Sequence, residues 1–196
     1  TGREVFSISK DKWQKEQGKI AKSIEDIGKD SYRLTNVTTE AKEGVIFSGG
    51  VAGGMSWGRI AHKAVEIVCR GKYEKLKAVA GRWLEEEGRS ESEAGKLFGL
   101  VDKFKGSDLW KRIGSADEKY FEVPFALGEA SSIVHGVIDL VFKEADEWVI
   151  VDYKTDDFEK DEQRKKTYEK QVELYKKYWE EISGERVKET LLYKLI

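Results

Sequence analysis

Cysteine, proline and methionine each occur once in these 196 residues, and histidine twice. A single cysteine, Cys69, excludes an internal disulfide, a cysteine-rich zinc site and a cysteine-ligated iron–sulfur cluster. A reducing, cytoplasmic setting is the corresponding expectation. No apolar run reaches the length of a membrane-spanning helix, and no signal-peptide pattern opens the chain. An excess of basic charge is missing too: 35 Lys and Arg face 37 Asp and Glu, for a net charge of −2. Net charge therefore does not advertise nucleic acid, and basic residues would have to cluster in the fold to bind it. The chain begins at Thr1, with Met55 its only methionine, and reads as a domain cut from a longer protein.

What is present is charge and apolar residues in quantity. Charged residues make up 37%, well above the usual quarter, and hydrophobic residues at 39% suffice for a real core. Residues 1–55 read as an N-terminal arm. Within it, Ser9 to Ile27 forms a charged helix with a thin apolar stripe, and residues 28–50 form a Gly-, Thr- and Lys-rich loop or linker. Helical spacing follows. Ser56 is placed to cap a helix from Trp57 to about Arg70, stopped by Gly71. A second helix runs from Tyr73 to Glu87, a third starts at Ser90, and a short fourth runs from Ser107 or Asp108 to Gly114. From Lys119 the period changes to that of strands: 120–127, with Pro124 marking an edge or bulge, then 133–143 and 147–154. A long helix from Lys160 to Ser183 and a strand from Val187 to Ile196 complete the chain. The order implies an α/β domain over 56–196, with a central mixed sheet flanked by helices.

The chemistry gathers in two strand runs. Gly136-Val137-Ile138-Asp139-Leu140-Val141-Phe142 carries a carboxylate among apolar residues, costly there unless paired or bound to a cation. Trp148-Val149-Ile150-Val151-Asp152-Tyr153-Lys154-Thr155 carries a second, with a lysine two residues on. Alternation puts Asp152 and Lys154 on one face and Tyr153 on the other. Asp139, from the adjacent strand, then joins them in one patch. Hard oxygen donors in this arrangement suit Mg²⁺ or Mn²⁺, and Lys154 stands where it can offset charge on a phosphate. His62, on the core side of its helix, is a candidate third ligand, with Glu66 one turn on to hydrogen-bond its ring. Gln171 and Tyr175, one turn apart in an apolar stripe, point to the site's edge or a nucleic-acid backbone. His135 reads as structural or substrate-facing. Arg164-Lys165-Lys166 is either a phosphate contact or a solvated face.

Together these residues resemble the RecB-like branch of the PD-(D/E)xK nuclease superfamily, and in particular the C-terminal nuclease domains of AddA- and RecB-type helicase–nucleases. The likeness rests on four pieces in the family's order: Gly58-Arg59-Ile60-Ala61-His62, the Asp139 run, Asp152-Tyr153-Lys154-Thr155-Asp156 and Gln171-Val172-Glu173-Leu174-Tyr175. It covers roughly 56–196. It implies a restriction-endonuclease-like core and a metal-dependent deoxyribonuclease of DNA repair or recombination. It also implies that His62, Asp139, Asp152 and the Tyr153 carbonyl bind Mg²⁺ or Mn²⁺, that Lys154 is the catalytic lysine and that Gln171 and Tyr175 support site and substrate. Glu122 matches a position in a common preceding strand and is a second-tier candidate. Ile138 stands where the superfamily's name has proline, as is usual in this branch. DNA, single-stranded or at duplex ends, is the implied substrate, and a helicase motor in the same longer chain or complex the implied partner, near the nucleoid. The rival is a non-catalytic DNA-binding or scaffolding module that keeps the fold.

Overall fold

The computed structural model describes residues 15, 18–19, 33–42, 52–129 and 132–196. The expected helix from Ser9 to Ile27 lies outside these, save Lys15, Gly18 and Lys19, which are helical and exposed. The element order is β1 (Arg33–Asn36), α1 (Val37–Ala41), α2 (Ala52–Cys69), α3 (Tyr73–Glu86), α4 (Ala94–Lys105), α5 (Asp108–Ser115), β2 (Lys119–Glu129), β3 (Ser132–Glu144), β4 (Glu147–Lys154), α6 (Glu162–Ser183) and β5 (Val187–Lys194). Short 3₁₀ turns precede α4 at Glu91–Glu93 and α6 at Phe158–Lys160. Among the described residues no helix is long and apolar enough to cross a membrane.

Local chemistry explains most boundaries. The Asp161 side chain accepts the Arg164 N–H at the start of α6, and Gly184 at φ 70° closes it. Ser107 caps α5 by accepting the Trp110 N–H. The β3–β4 hairpin turns on Ala145 and Asp146, both at positive φ, between the paired Glu144 and Glu147. That two-residue turn matches the twist of the strands it joins.

Two expectations are corrected here. Helix α2 begins at Ala52 rather than at Trp57, so Ser56 lies inside the helix and not at its cap. Its hydroxyl is instead buried and accepts from Arg89 Nη1 at 3.2 Å. Residues 28–50 are not all loop, since 33–36 pair in parallel with β3 and 37–41 are helical. Composition hid this because the strand is four residues long, too short for a period to emerge.

β3 organises the sheet. β2 pairs antiparallel along one edge of it, from Lys119↔Phe142 to Glu129↔Ser132. The other edge is shared: β4 pairs antiparallel with its C-terminal part, Leu140 to Glu144, and β1 with its N-terminal part, Ser132 to His135. β5 lies parallel to β4. On one face, α2, α4 and α5 bury Ala61, Val65, Phe104, Leu109 and Ile113 against Leu140, Phe142, Val149, Val151 and Tyr153. On the other, α1 and α6 bury Val37, Tyr175 and Tyr178 against Val134, Ile138, Val141 and Ile150. α3 closes a helical satellite core over α2 and α4. Each such aliphatic side chain contributes about 1.5–3 kcal/mol, so the sheet tolerates costly polar groups at its centre. Pro124 lies in β2, which among the described residues pairs only with β3, and meets the edge position expected for it.

Candidate active site

Between β1 and β4, one edge of β3 has no strand partner among the described residues from Gly136 to Asp139. The site lies at this fork. In register, Glu122 of β2 stands opposite Asp139 of β3, between the pairs Phe121↔Leu140 and Val123↔Ile138. Asp139 in turn stands one step beyond Leu140↔Val151, opposite Asp152 of β4. Three acids therefore lie side by side on three adjacent strands.

They do not all face the same way. Along β2, Phe121 packs on the α2 side and Val123 on the α6 side, although alternation would put both on one face. Along β3, Leu140 and Ile138 are parted in the same manner. Both breaks fall at the Glu122–Asp139 step, where Glu122 takes φ 50°. A left-handed conformation costs a non-glycine residue about 1–2 kcal/mol, and such cost gathers where geometry serves function. The paired break turns both carboxylates toward α2. His62 Nδ1 there lies 3.4 Å from Asp139 Oδ1, and ligand atoms of His62, Glu122 and Asp139 all lie within 4.8 Å of one another.

Asp152 and Lys154 take the α6 side, with Tyr153 between them on the α2 side. Lys154 Nζ is 2.6 Å from Asp152 Oδ2 and donates to Gln171 Oε1 at 3.1 Å. It also lies 4.3 Å from the centre of the Tyr168 ring. Gln171 Nε2 donates to Tyr175 OH at 2.9 Å. The expected single patch is thus two half-sites, one on each face, that meet at the fork. A backbone bond ties them, the Tyr153 N–H donating to Asp139 Oδ2 at 2.7 Å.

Electrostatics follow from crowding. Asp152 is only 3% exposed, and burial pushes its carboxyl up while the Lys154 ammonium holds it back. Glu122 is pushed up to about 7, by desolvation first and then by the charge of Asp139. Burial pulls the His62 imidazole down, but its hydrogen bond to Asp139 and the charges of Asp139, Asp152 and Glu122 outweigh that and raise it. Acids held above their ordinary range beside one another are what a cation relieves. Among the described residues, the buried Asp152 Oδ2 has no partner besides the Lys154 ammonium. Carboxylates with one imidazole form a hard donor set that fits a divalent cation.

Not every candidate is placed as expected. Glu66 does not hold the His62 ring; it accepts from Arg70 Nε at 2.8 Å, in the next turn of α2. Arg164 is committed to Asp156 at 2.8 Å, and Lys165 and Lys166 pair with Glu169 and Glu162. His135 lies in β3 between Asn36 and Ala126, as the last β1-paired residue before the fork. Two residues take structural roles that the sequence did not assign, Asp156 at the end of the Asp152–Asp156 motif and Thr38. Asp156 accepts both Arg164 and the Tyr168 hydroxyl, fixing the loop after β4. Thr38 receives the second Gln171 N–H at 3.3 Å, across 133 residues of chain.

The pattern of the PD-(D/E)XK nuclease superfamily matches residues 40–195. An ATP-dependent helicase/nuclease subunit of Clostridium kluyveri is 29% identical over 146 residues, which are 66% of this chain and 12% of that protein. The protein of the same name from Carboxydothermus hydrogenoformans is 40% identical over 111 residues, 49% of this chain and 10% of that one. The one from Clostridium perfringens is 35% identical over 125 residues, 52% and 10% respectively. The chain thus spans 12% or less of the length of these relatives.

Proposed function

The chain belongs to the PD-(D/E)XK nuclease superfamily, and from that premise we propose that it hydrolyses phosphodiester bonds in DNA with Mg²⁺ or Mn²⁺ as cofactor. The observation that carries this reading is the row of Glu122, Asp139 and Asp152 on adjacent strands, with His62 against one end and Lys154 against the other.

His62, Asp139, Asp152 and the main-chain carbonyl of Tyr153 would hold the cation. Glu122 joins them as a further donor, since its carboxylate shares the cluster of His62 and Asp139. When bound, a divalent cation supplies Lewis acidity, lowering the pKa of water and offsetting charge on phosphate oxygens. Lys154 places its ammonium at the same fork, where it stabilises charge that develops on the phosphate. Gln171 and Tyr175 keep that ammonium in place. The relatives are named as subunits of an ATP-dependent helicase/nuclease. We therefore assign this chain the nuclease part of such a machine, acting on single strands or duplex ends in DNA repair or recombination, in the cytoplasm at the nucleoid.

The test is incubation of the chain with end-labelled linear and with closed circular single-stranded DNA, with Mg²⁺ or Mn²⁺ and with chelator. Metal-dependent cleavage that Asp152→Asn and Lys154→Met abolish, in proteins whose circular dichroism shows them folded, is the expected result. Cutting of circles assigns endonuclease action, and cutting of linear DNA alone assigns exonuclease action. Undiminished cleavage by both variants overturns the reading.

A further inference from the structure

We infer that Thr38, in the short helix α1, is a positioning residue for the catalytic lysine, acting through the amide of Gln171. The inference rests on the nuclease reading above, and concerns a residue just outside the segment that matches the family, 40–195.

The argument starts from what each group can do. An ammonium only donates, so the end of the Gln171 amide facing Lys154 must be its oxygen. The distances agree, with Lys154 Nζ to Gln171 Oε1 at 3.1 Å. The NH₂ end then points the other way and carries two N–H groups. Gln171 is 5% exposed, so water is a poor substitute and both need acceptors in the protein. One is Tyr175 OH at 2.9 Å and the other Thr38 Oγ1 at 3.3 Å. Burial, then the charge of Asp152, raises the Tyr175 pKa far above neutrality, so it is a neutral phenol here. The amide is fully satisfied in one orientation only, and that orientation presents its oxygen to Lys154.

Thr38 is itself held from two sides. Its N–H donates to the Asn36 side chain at 2.8 Å, the cap of α1. α1 is fixed to α6 independently of the hydroxyl. The Tyr178 OH donates to the Glu40 carboxylate at 3.2 Å, and Lys170 Nζ to the Glu40 carbonyl at 3.0 Å. Val37 is fully buried in the same core. The Thr38 hydroxyl can therefore be removed while its helix stays docked.

Thr38→Val keeps the β-branched shape and deletes the acceptor; Thr38→Ser keeps the acceptor. Cleavage kinetics of the chain on single-stranded DNA with Mn²⁺ are expected to show kcat lowered about fivefold in Thr38→Val, with KM changed by less than about twofold and the melting temperature lowered by only a few degrees. Thr38→Ser stays near wild type. Adding Thr38→Val to Gln171→Ala brings no further loss, because the amide it orients is gone. Proton–nitrogen spectra provide a readout apart from activity: one Gln171 side-chain N–H resonance shifts in Thr38→Val and not in Thr38→Ser. Unchanged kcat in Thr38→Val, equal losses in Val and Ser, or losses that multiply with Gln171→Ala overturn the inference. Full cleavage by both Asp152→Asn and Lys154→Met would instead overturn the nuclease reading itself, and the resonance shift would still decide whether Thr38 orients the amide.

Discussion

The Asp139 carboxylate accepts the Tyr153 N–H at 2.7 Å, one step past the last regular pair of β3 with β4. One carboxylate thus does two things: Oδ2 ties the fork together, while Oδ1 faces His62. The two roles separate by substitution. Asp139→Asn keeps a side-chain carbonyl for the Tyr153 N–H but loses the charge. It should cost little stability and most of the affinity for Mn²⁺ in a calorimetric titration. Asp139→Ala leaves that N–H without a partner and should cost an additional 1–3 kcal/mol, roughly, in denaturant unfolding. Equal stability of the two variants would show that the bond does not hold the fork.

Gly136 of β3 lies against Phe125 of β2 and Tyr175 of α6. A Cβ there would lie 2.9 Å from two ring carbons of Phe125 and 3.4 Å from the Tyr175 ring. These rings meet edge to face, with centroids 6.0 Å apart. Gly136→Ala must push the pair apart, and is expected to destabilise by about 1–3 kcal/mol. It also disturbs Tyr175, and so Gln171, at the site. Gly99→Ala in α4 is the contrast, since a Cβ there meets nothing within 4 Å and removes glycine's entropy cost in a helix, a gain of about 0.5–1 kcal/mol. Melting temperatures moving in opposite directions are the expected result.

The strands of the site were legible in the sequence because apolar runs and alternation report burial directly. β4, with six consecutive buried residues, is the clearest case. Pro124, the Asp152–Lys154 pair and the Gln171–Tyr175 turn were likewise readable from local spacing. The break in alternation at Glu122 and Asp139 was not. It depends on a backbone angle of one residue and on two strands yielding together, and no pattern within either run encodes it. That break explains why the acids divide between two faces instead of sharing one. Glu66 misleads for a related reason: one turn on from His62 it is equally one turn before Arg70, and the nearer charge takes it. Thr38 lay beyond reach because a contact across 133 residues leaves no periodic trace.

Away from the site, Arg112 of α5 donates to Glu144 through Nε at 2.9 Å and Nη2 at 3.0 Å, joining the helix to the end of β3. This hydrogen-bonded pairing is the main reason the Glu144 carboxyl falls from an ordinary 4.5 to about 2. A folded-state pKa below the unfolded one stabilises fully above the unfolded value and is lost as pH falls through the folded one. The stability difference between wild type and Glu144→Gln should therefore be constant from pH 7 to about 5, then shrink between 4.5 and 2. Denaturant unfolding at a series of pH values measures it. A gap that widens toward acid would contradict the assignment.

Asp152 and Lys154 are 4% and 14% exposed at their side chains and 2.6 Å apart. Removing one member of such a pair leaves the other buried and uncompensated, which typically costs about 3–5 kcal/mol. Lys154→Ala should accordingly be less stable than the wild type and not merely inactive, because Asp152 and the Gln171 oxygen both lose their cation. Lys154→Met fills the same space over Tyr168 and should recover part of that loss. In the double variant Asp152→Asn/Lys154→Met no charge is stranded, so its unfolding free energy should exceed that of either single variant while its cleavage stays absent. Such non-additivity, measured by a double-mutant cycle in denaturant, would separate the structural cost of the pair from its chemistry. Additive losses would mean that the two charges do not share one buried environment.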